Sequence, residues 1–150
     1  MLFVVLLSVM SFFFPLAIFT FELKGLSIHE VYGFFPKSVE SLAQSKPEYA
    51  LIIMQVVISI IVLVSIFLYK KRPLQIKVLA GAFLITAIYI AVLFFFKIDG
   101  IEKEISILAQ PKVSYGIASY LSILQLFLLI LAQRAIRKDE RMVRSSERLR

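Results

Sequence analysis

Residues 50–69 read ALIIMQVVISIIVLVSIFLY, twenty residues without one charged side chain. At a rise of about 1.5 Å per residue, such a run is as long as the ~30 Å hydrocarbon core of a bilayer is thick. In water its Val and Ile would favour strands, but in lipid no backbone amide can be left unpaired, so the run is predicted to be a membrane-crossing helix. Three further uncharged runs of similar length accompany it, at Leu2–Phe21, Val78–Phe96 and Val113–Gln133. The prediction is therefore an all-α membrane protein, a four-helix transmembrane bundle built from residues 1–150 as one domain. Composition agrees, since 60% hydrophobic residues and a mean hydropathy of +0.90 exceed what a soluble domain carries.

The first run is expected to stay in the mature chain. It has no basic segment ahead of it, it is longer than a signal-peptide core, and the FTFEL that ends it and runs on past it offers no small-residue cleavage site. Pro15, near its outer end, is expected to kink the last turn, a fault that neighbouring helices can repair.

Orientation follows from where the cations fall. The connection between the second and third runs carries Lys70, Lys71, Arg72 and Lys77 with no acid. The tail, residues 134–150, carries Arg134, Arg137, Lys138, Arg141, Arg144, Arg148 and Arg150 against Asp139, Glu140 and Glu147. The other two connections balance Lys with Asp and Glu. Positive charge stays on the cytoplasmic side, so the expected topology is N-in/C-in with two outward loops. The outward loops carry strand cues. FTFELKG alternates apolar with polar residues, and KIDGIEKEI sets an Asp99-Gly100 turn before an alternating stretch through Ile105. A small β-containing cap with strands from both loops is expected, and LSIHEVYGFFPKSVESLAQS between them reads as a short amphipathic helix, with SVESLAQ as its helical part.

Chemistry is sparse. The chain has no cysteine, which removes disulfides, thiolate metal sites and cysteine nucleophiles. No charge lies inside a predicted span, so proton relay, ion coupling and voltage sensing lack their usual residues. Nucleotide-binding and common hydrolase motifs are missing. The lone histidine, His29, stands beside Glu30 in a loop, where a solvated pair is the ordinary outcome and a catalytic or metal role would need further partners. No catalytic residue, cofactor or metal is predicted.

Within the spans, Tyr115, Ser119, Ser122 and Gln125 recur three or four residues apart and are read as one polar stripe on the fourth helix. Packing between helices is the preferred explanation, with a polar-lined cavity as the alternative. Ala80, Gly81, Ala87 and Ala91 are read as a smooth packing seam on the third helix. The tail has strong helix formers and a narrow apolar seam, so it is expected to continue the fourth helix into the cytoplasm, with Glu140 pairing with Arg144. Two readings stand side by side: an anchor on anionic lipid headgroups, and a docking helix for another membrane protein. Nucleic acid is not an expected partner, because no aromatic residue interleaves the arginines.

RAIRKDERMVRSSERLR at the C-terminus, FFFPLAIF at residues 12–19 and LYKKRPLQIKV at residues 68–78 together resemble an uncharacterised family of small bacterial inner-membrane proteins with four spans. The resemblance runs nearly the whole length. It implies the same topology and a bacterial inner-membrane location, and it transfers no activity. The chain departs from the family in one respect: the usual short basic stretch ahead of the first span is not seen before Leu2, so inward placement of the N-terminus rests on the cations further along. The function expected is that of a non-enzymatic accessory or scaffold subunit of a larger inner-membrane assembly, docking through its tail and outward loops. The alternative is a small carrier or lipid-handling protein using the polar stripe, and a third reading is a lipid-modifying enzyme using His29 and Glu30.

Overall fold

In the computed structural model, residues 1–23, 26–35, 47–107 and 110–147 are described. Three helical stretches are long and apolar enough to cross a membrane: Tyr49–Lys70, Arg72–Ser106 and Ile117–Val143. Within them, α2 is Tyr49–Phe67, ending in a 3-10 turn at Leu68–Lys70, and α3 is Arg72–Ala91. A π-helical segment, Val92–Ile98, carries α3 into α4, Asp99–Ser106, and α5 is Ile117–Glu147. The short helix α1, Leu2–Ser11, packs between α2 and α5, and α3 closes the ring from the other side.

The distribution of polarity is that of a protein in lipid. The inward face of α2 carries Gln55 and Ser65 among its apolar residues, that of α3 carries Gln75 and Thr86, and that of α5 carries Ser119, Ser122 and Gln125. Outward faces hold large apolar side chains, such as Ile53, Ile60, Leu84, Ile88 and Phe127. In water this arrangement would expose far more contiguous apolar surface than soluble monomers tolerate, whereas lipid solvates it and leaves polar groups to bond across helices. The Ala80, Ala87 and Ala91 seam is not the packed face of α3. Gln75, Leu79, Ala82, Thr86 and Tyr89 are, because the polar groups among them need partners that lipid cannot supply.

The first uncharged run departs from a full-length span. Only ten residues are helical, about 15 Å at the helical rise, too short to cross the bilayer alone. The chain turns at residues 12–16 and enters strand β1, Ala17–Leu23, where Ala17, Phe19 and Phe21 are buried at alternate positions. β1 lies between β2, Leu26–Tyr32, and β3, Lys112–Tyr115, antiparallel to both. The cap thus joins strands from both connections as expected: β1 contains the FTFEL read as a strand, whereas the other two strands come from segments read otherwise. KIDGIEKEI is helical rather than a hairpin, because Ile98, Ile101 and Ile105 also fit a period near 3.6 and the interior accepts that face. LSIHEVY, expected to begin a helix, is strand β2, while SVESLAQ lies outside the described residues. Residues 113–115, assigned to the fourth span, form most of β3, and the helix starts at Ile117.

The cap and α5 are fastened through backbone. Gly116 N–H donates to Leu16 O at 2.9 Å, Ala118 N–H to Pro15 O at 3.0 Å, and Ser119 Oγ to Leu16 O at 2.6 Å. Pro15 therefore sits in a turn rather than a kinked helix. Only glycine fits at 116, since a Cβ there would lie 2.1 Å from Pro15 O.

Candidate functional site

Two groups of polar residues merit chemical reading, one inside the bundle and one at its basic end. Inside, Gln55 of α2 is the hub. Its Nε2 lies 3.0 Å from Ser8 Oγ, 3.2 Å from Ser11 Oγ and 3.1 Å from Gln125 Oε1, so one amide joins α1, α2 and α5. With Ser8 O at 3.5 Å as well, two N–H groups are shared among four acceptors. Ser8 and Ser59 hydroxyls bond to each other, Ser11 Oγ donates to Ser8 O at 2.7 Å, and Ser59 Oγ donates to Gln55 O at 2.8 Å. Gln55 Oε1 and Gln125 Nε2 are buried without a hydrogen-bond partner.

The predicted stripe is therefore divided among three uses. Gln125 joins the Gln55 cluster, Ser122 Oγ returns to Ala118 O at 2.9 Å, and Ser119 fastens the cap. Tyr115 is not part of the helical stripe: it ends β3, is 47% exposed and stacks at a tilt on Phe94, with ring centroids 5.3 Å apart.

Where the cap meets the bundle, the Tyr32 and Tyr89 hydroxyls are buried and unpartnered. Glu48 sits close enough to act on the Tyr32 hydroxyl electrostatically and is itself held by Lys97 at 2.7 Å. Burial first, and Glu48 second, push the Tyr32 hydroxyl well above its ordinary range, so it stays protonated. His29 is exposed on edge strand β2, its Nδ1 3.1 Å from Thr20 Oγ1, and Thr20 is its partner in the strand register. Among the described residues no three His, Cys, Asp or Glu side chains gather as a metal site.

At the opposite end, the basic turn and the terminal helix converge. Arg72 Nη1 lies 3.1 Å from Asp139 Oδ2, and Gln133 Nε2 donates to Leu79 O at 3.0 Å. Met1 reaches the same end, with its sulfur 3.5 Å from Ser65 Oγ and 3.7 Å from Gln75 Nε2. α5 runs unbroken past this level for 31 residues in all, about 46 Å at the helical rise. Arg134, Arg137, Lys138 and Arg141 are exposed along one side of it and line a shallow groove with Met142. Lys70, Lys71 and Lys77 are exposed nearby in sequence, whereas Arg72 is half-buried by its ion pair. The side chain of Arg144, and therefore its pairing with Glu140, lies outside the described residues, as do Arg148 and Arg150. The Arg72–Asp139 clamp and the Gln55 hub were not evident in the sequence. The isolated Gln55 in an otherwise apolar run was the signal available for the hub.

This arrangement can bind anions at its basic end and hydrogen-bond internally, and its one hydroxyl–imidazole contact among the hydrogen bonds described above, Thr20 with His29, lies exposed on the sheet. No curated protein and no solved structure matches the chain. The family model described as Domain of unknown function (DUF4293) matches residues 1–149, and the chain belongs to that family.

Proposed function

We propose that this protein is a non-enzymatic accessory or scaffold subunit of a larger assembly in the bacterial inner membrane. It docks through its basic C-terminal helix and outward cap, with anionic lipid headgroups and other membrane proteins as its partners. The observation that carries this reading is the contrast between an uncharged interior, largely occupied by its own hydrogen bonds, and a terminal helix that presents Arg134, Arg137, Lys138 and Arg141 to its surroundings. These cations suit anionic lipid, and their interleaving with Asp139 and Glu140 on one helix suits a protein partner as well. The N-in/C-in orientation follows from the same charges. In this reading the first pass is completed by α1, the turn at residues 12–16 and the apolar face of β1, since Met1 lies at the basic end and the sheet at the other.

Co-purification in mild detergent, comparing the full chain with one truncated after Gln133, tests the proposal. Partners lost on truncation are expected, and identical partner sets or none in either sample would remove the idea.

The unpaired Gln55 Oε1 and Gln125 Nε2 favour a second reading, a small carrier or lipid-handling protein whose interior opens around those amides. Replacing Gln55 and Gln125 together with Leu, which removes both unpaired amide atoms, abolishes function under that reading and leaves it largely intact under the first.

A further inference from the structure

Where the π-helical segment passes the start of α5, a groove of about 560 Å³ lies open at the cap end of the bundle. Ile90 and Ile123 line its apolar part, Phe94 and Tyr115 stand over it as a tilted ring pair, and Asp99 and Glu102 stand at its polar part, one helical turn apart. A π-helix is rare, and where one interrupts an α-helix it frequently marks a working site. Here it contributes the rings and delivers the two carboxylates in sequence directly after them.

The charges at this polar part do not cancel. Lys103 Nζ bonds Asp99 Oδ2 at 2.6 Å, an exposed pair, and leaves the Asp99, Glu102 and Lys103 group with one negative charge in excess. An ammonium group answers all of this chemistry at once, because its N–H donors fit carboxylate oxygens and its charge is attracted to ring faces. Below it, the apolar part faces the side where Phe95 is 75% exposed and Ile123 is 47% exposed, surfaces that lipid tails cover in a membrane. An anionic headgroup would be repelled by the same carboxylates. The volume falls in the range of pockets that enclose small ligands or part of a lipid.

We propose that this groove is a binding site for an amine-bearing phospholipid of the outer leaflet, with its ammonium between Asp99 and Glu102 over the Phe94 and Tyr115 rings and an acyl chain along Ile90 and Ile123. The site rests on the membrane placement and orientation proposed above for α3 and α5, not on the docking role of the terminal helix. Its amine chemistry is opposite to the anion chemistry of the basic end, so the two are separable in one experiment.

The test is native mass spectrometry of the full chain released from bilayer discs containing equal phosphatidylethanolamine and phosphatidylglycerol. The wild-type protein is expected to retain phosphatidylethanolamine. Asp99→Asn combined with Glu102→Gln should lower that retention about five-fold or more, the equivalent of roughly one charge-assisted contact, while phosphatidylglycerol held at the basic end is unchanged. Ile123→Trp, which fills the apolar part from an exposed position, should lower it as well and covers the case in which the double variant fails to fold. Glu104→Gln, on the exposed side of α4 and away from the groove, should not. No retained phosphatidylethanolamine in the wild type, or retention that survives Ile123→Trp and any folded carboxylate variant, would overturn the proposal. So would a dimer signal abolished by Ile123→Trp with no lipid bound, which would assign the groove to a second copy.

Discussion

Gly116→Ala places the sharpest demand on this fold. A Cβ at that position would stand 2.1 Å from Pro15 O and 2.6 Å from Pro15 C, both backbone atoms that cannot rotate aside. Relieving the clash means separating the two chain segments by roughly 1 Å, enough to take hydrogen bonds out of range. Three bonds cross this seam, from Gly116 N–H and Ser119 Oγ to Leu16 O and from Ala118 N–H to Pro15 O. They lie where water is scarce, so at about 1 kcal/mol each their loss should cost about 2–4 kcal/mol. Gly81→Ala is the matched control. A Cβ there meets nothing within 4 Å, and alanine favours the helix by up to about 1 kcal/mol, so that variant should be neutral or slightly more stable. Unfolding of the purified protein in detergent, followed by circular dichroism with protease susceptibility of the cap as a second probe, separates the two. Gly116→Ala within about 0.5 kcal/mol of wild type, with an equally protected cap, would falsify the close backbone approach.

Three other outcomes follow from the interior and its two ends. Gln55→Leu or Gln125→Leu alone should each destabilise by about 1–2 kcal/mol, whereas the double replacement should lie nearer wild type than the sum, because both unpaired amide atoms disappear with it; strict additivity would refute the pairing. Because burial and Glu48 raise the Tyr32 hydroxyl above its ordinary value of 10.0, the unfolded chain releases that proton first as pH climbs. The stability it supplies is complete below about pH 10 and is lost above it, so Tyr32→Phe should flatten the alkaline limb of an unfolding profile, and equal limbs in both proteins would contradict the assignment. Arg72→Ala removes an ion pair whose side chains are 36% and 55% exposed, so it should cost no more than about 1 kcal/mol and the difference should shrink in high salt; a larger, salt-independent loss would show that the clamp is stronger than its exposure implies.

Much of the architecture was legible in the chain because lipid leaves few alternatives. An uncharged run as long as α2 must become helix where backbone groups find no water, and the charge between α2 and α3 sets which end faces the cytoplasm in the proposed topology. The unbroken passage of α5 into the tail also followed from local preference, with no Pro or Gly to stop it.

What only the tertiary structure decided lies in the segments where two periods fit the same residues. Phe19 and Phe21 suit a helix facing lipid as well as a strand facing the bundle, and the pairing of β1 with β2 and β3 selected the strand by satisfying both of its edges. Ile101 and Ile105 fit alternation or helical spacing equally, and burial of Ile105 selected the helix. Gln55, Gly116 and Asp139 acquired their importance from residues dozens of positions away, and hydrogen bonds and steric contacts across such separations leave no mark on local composition.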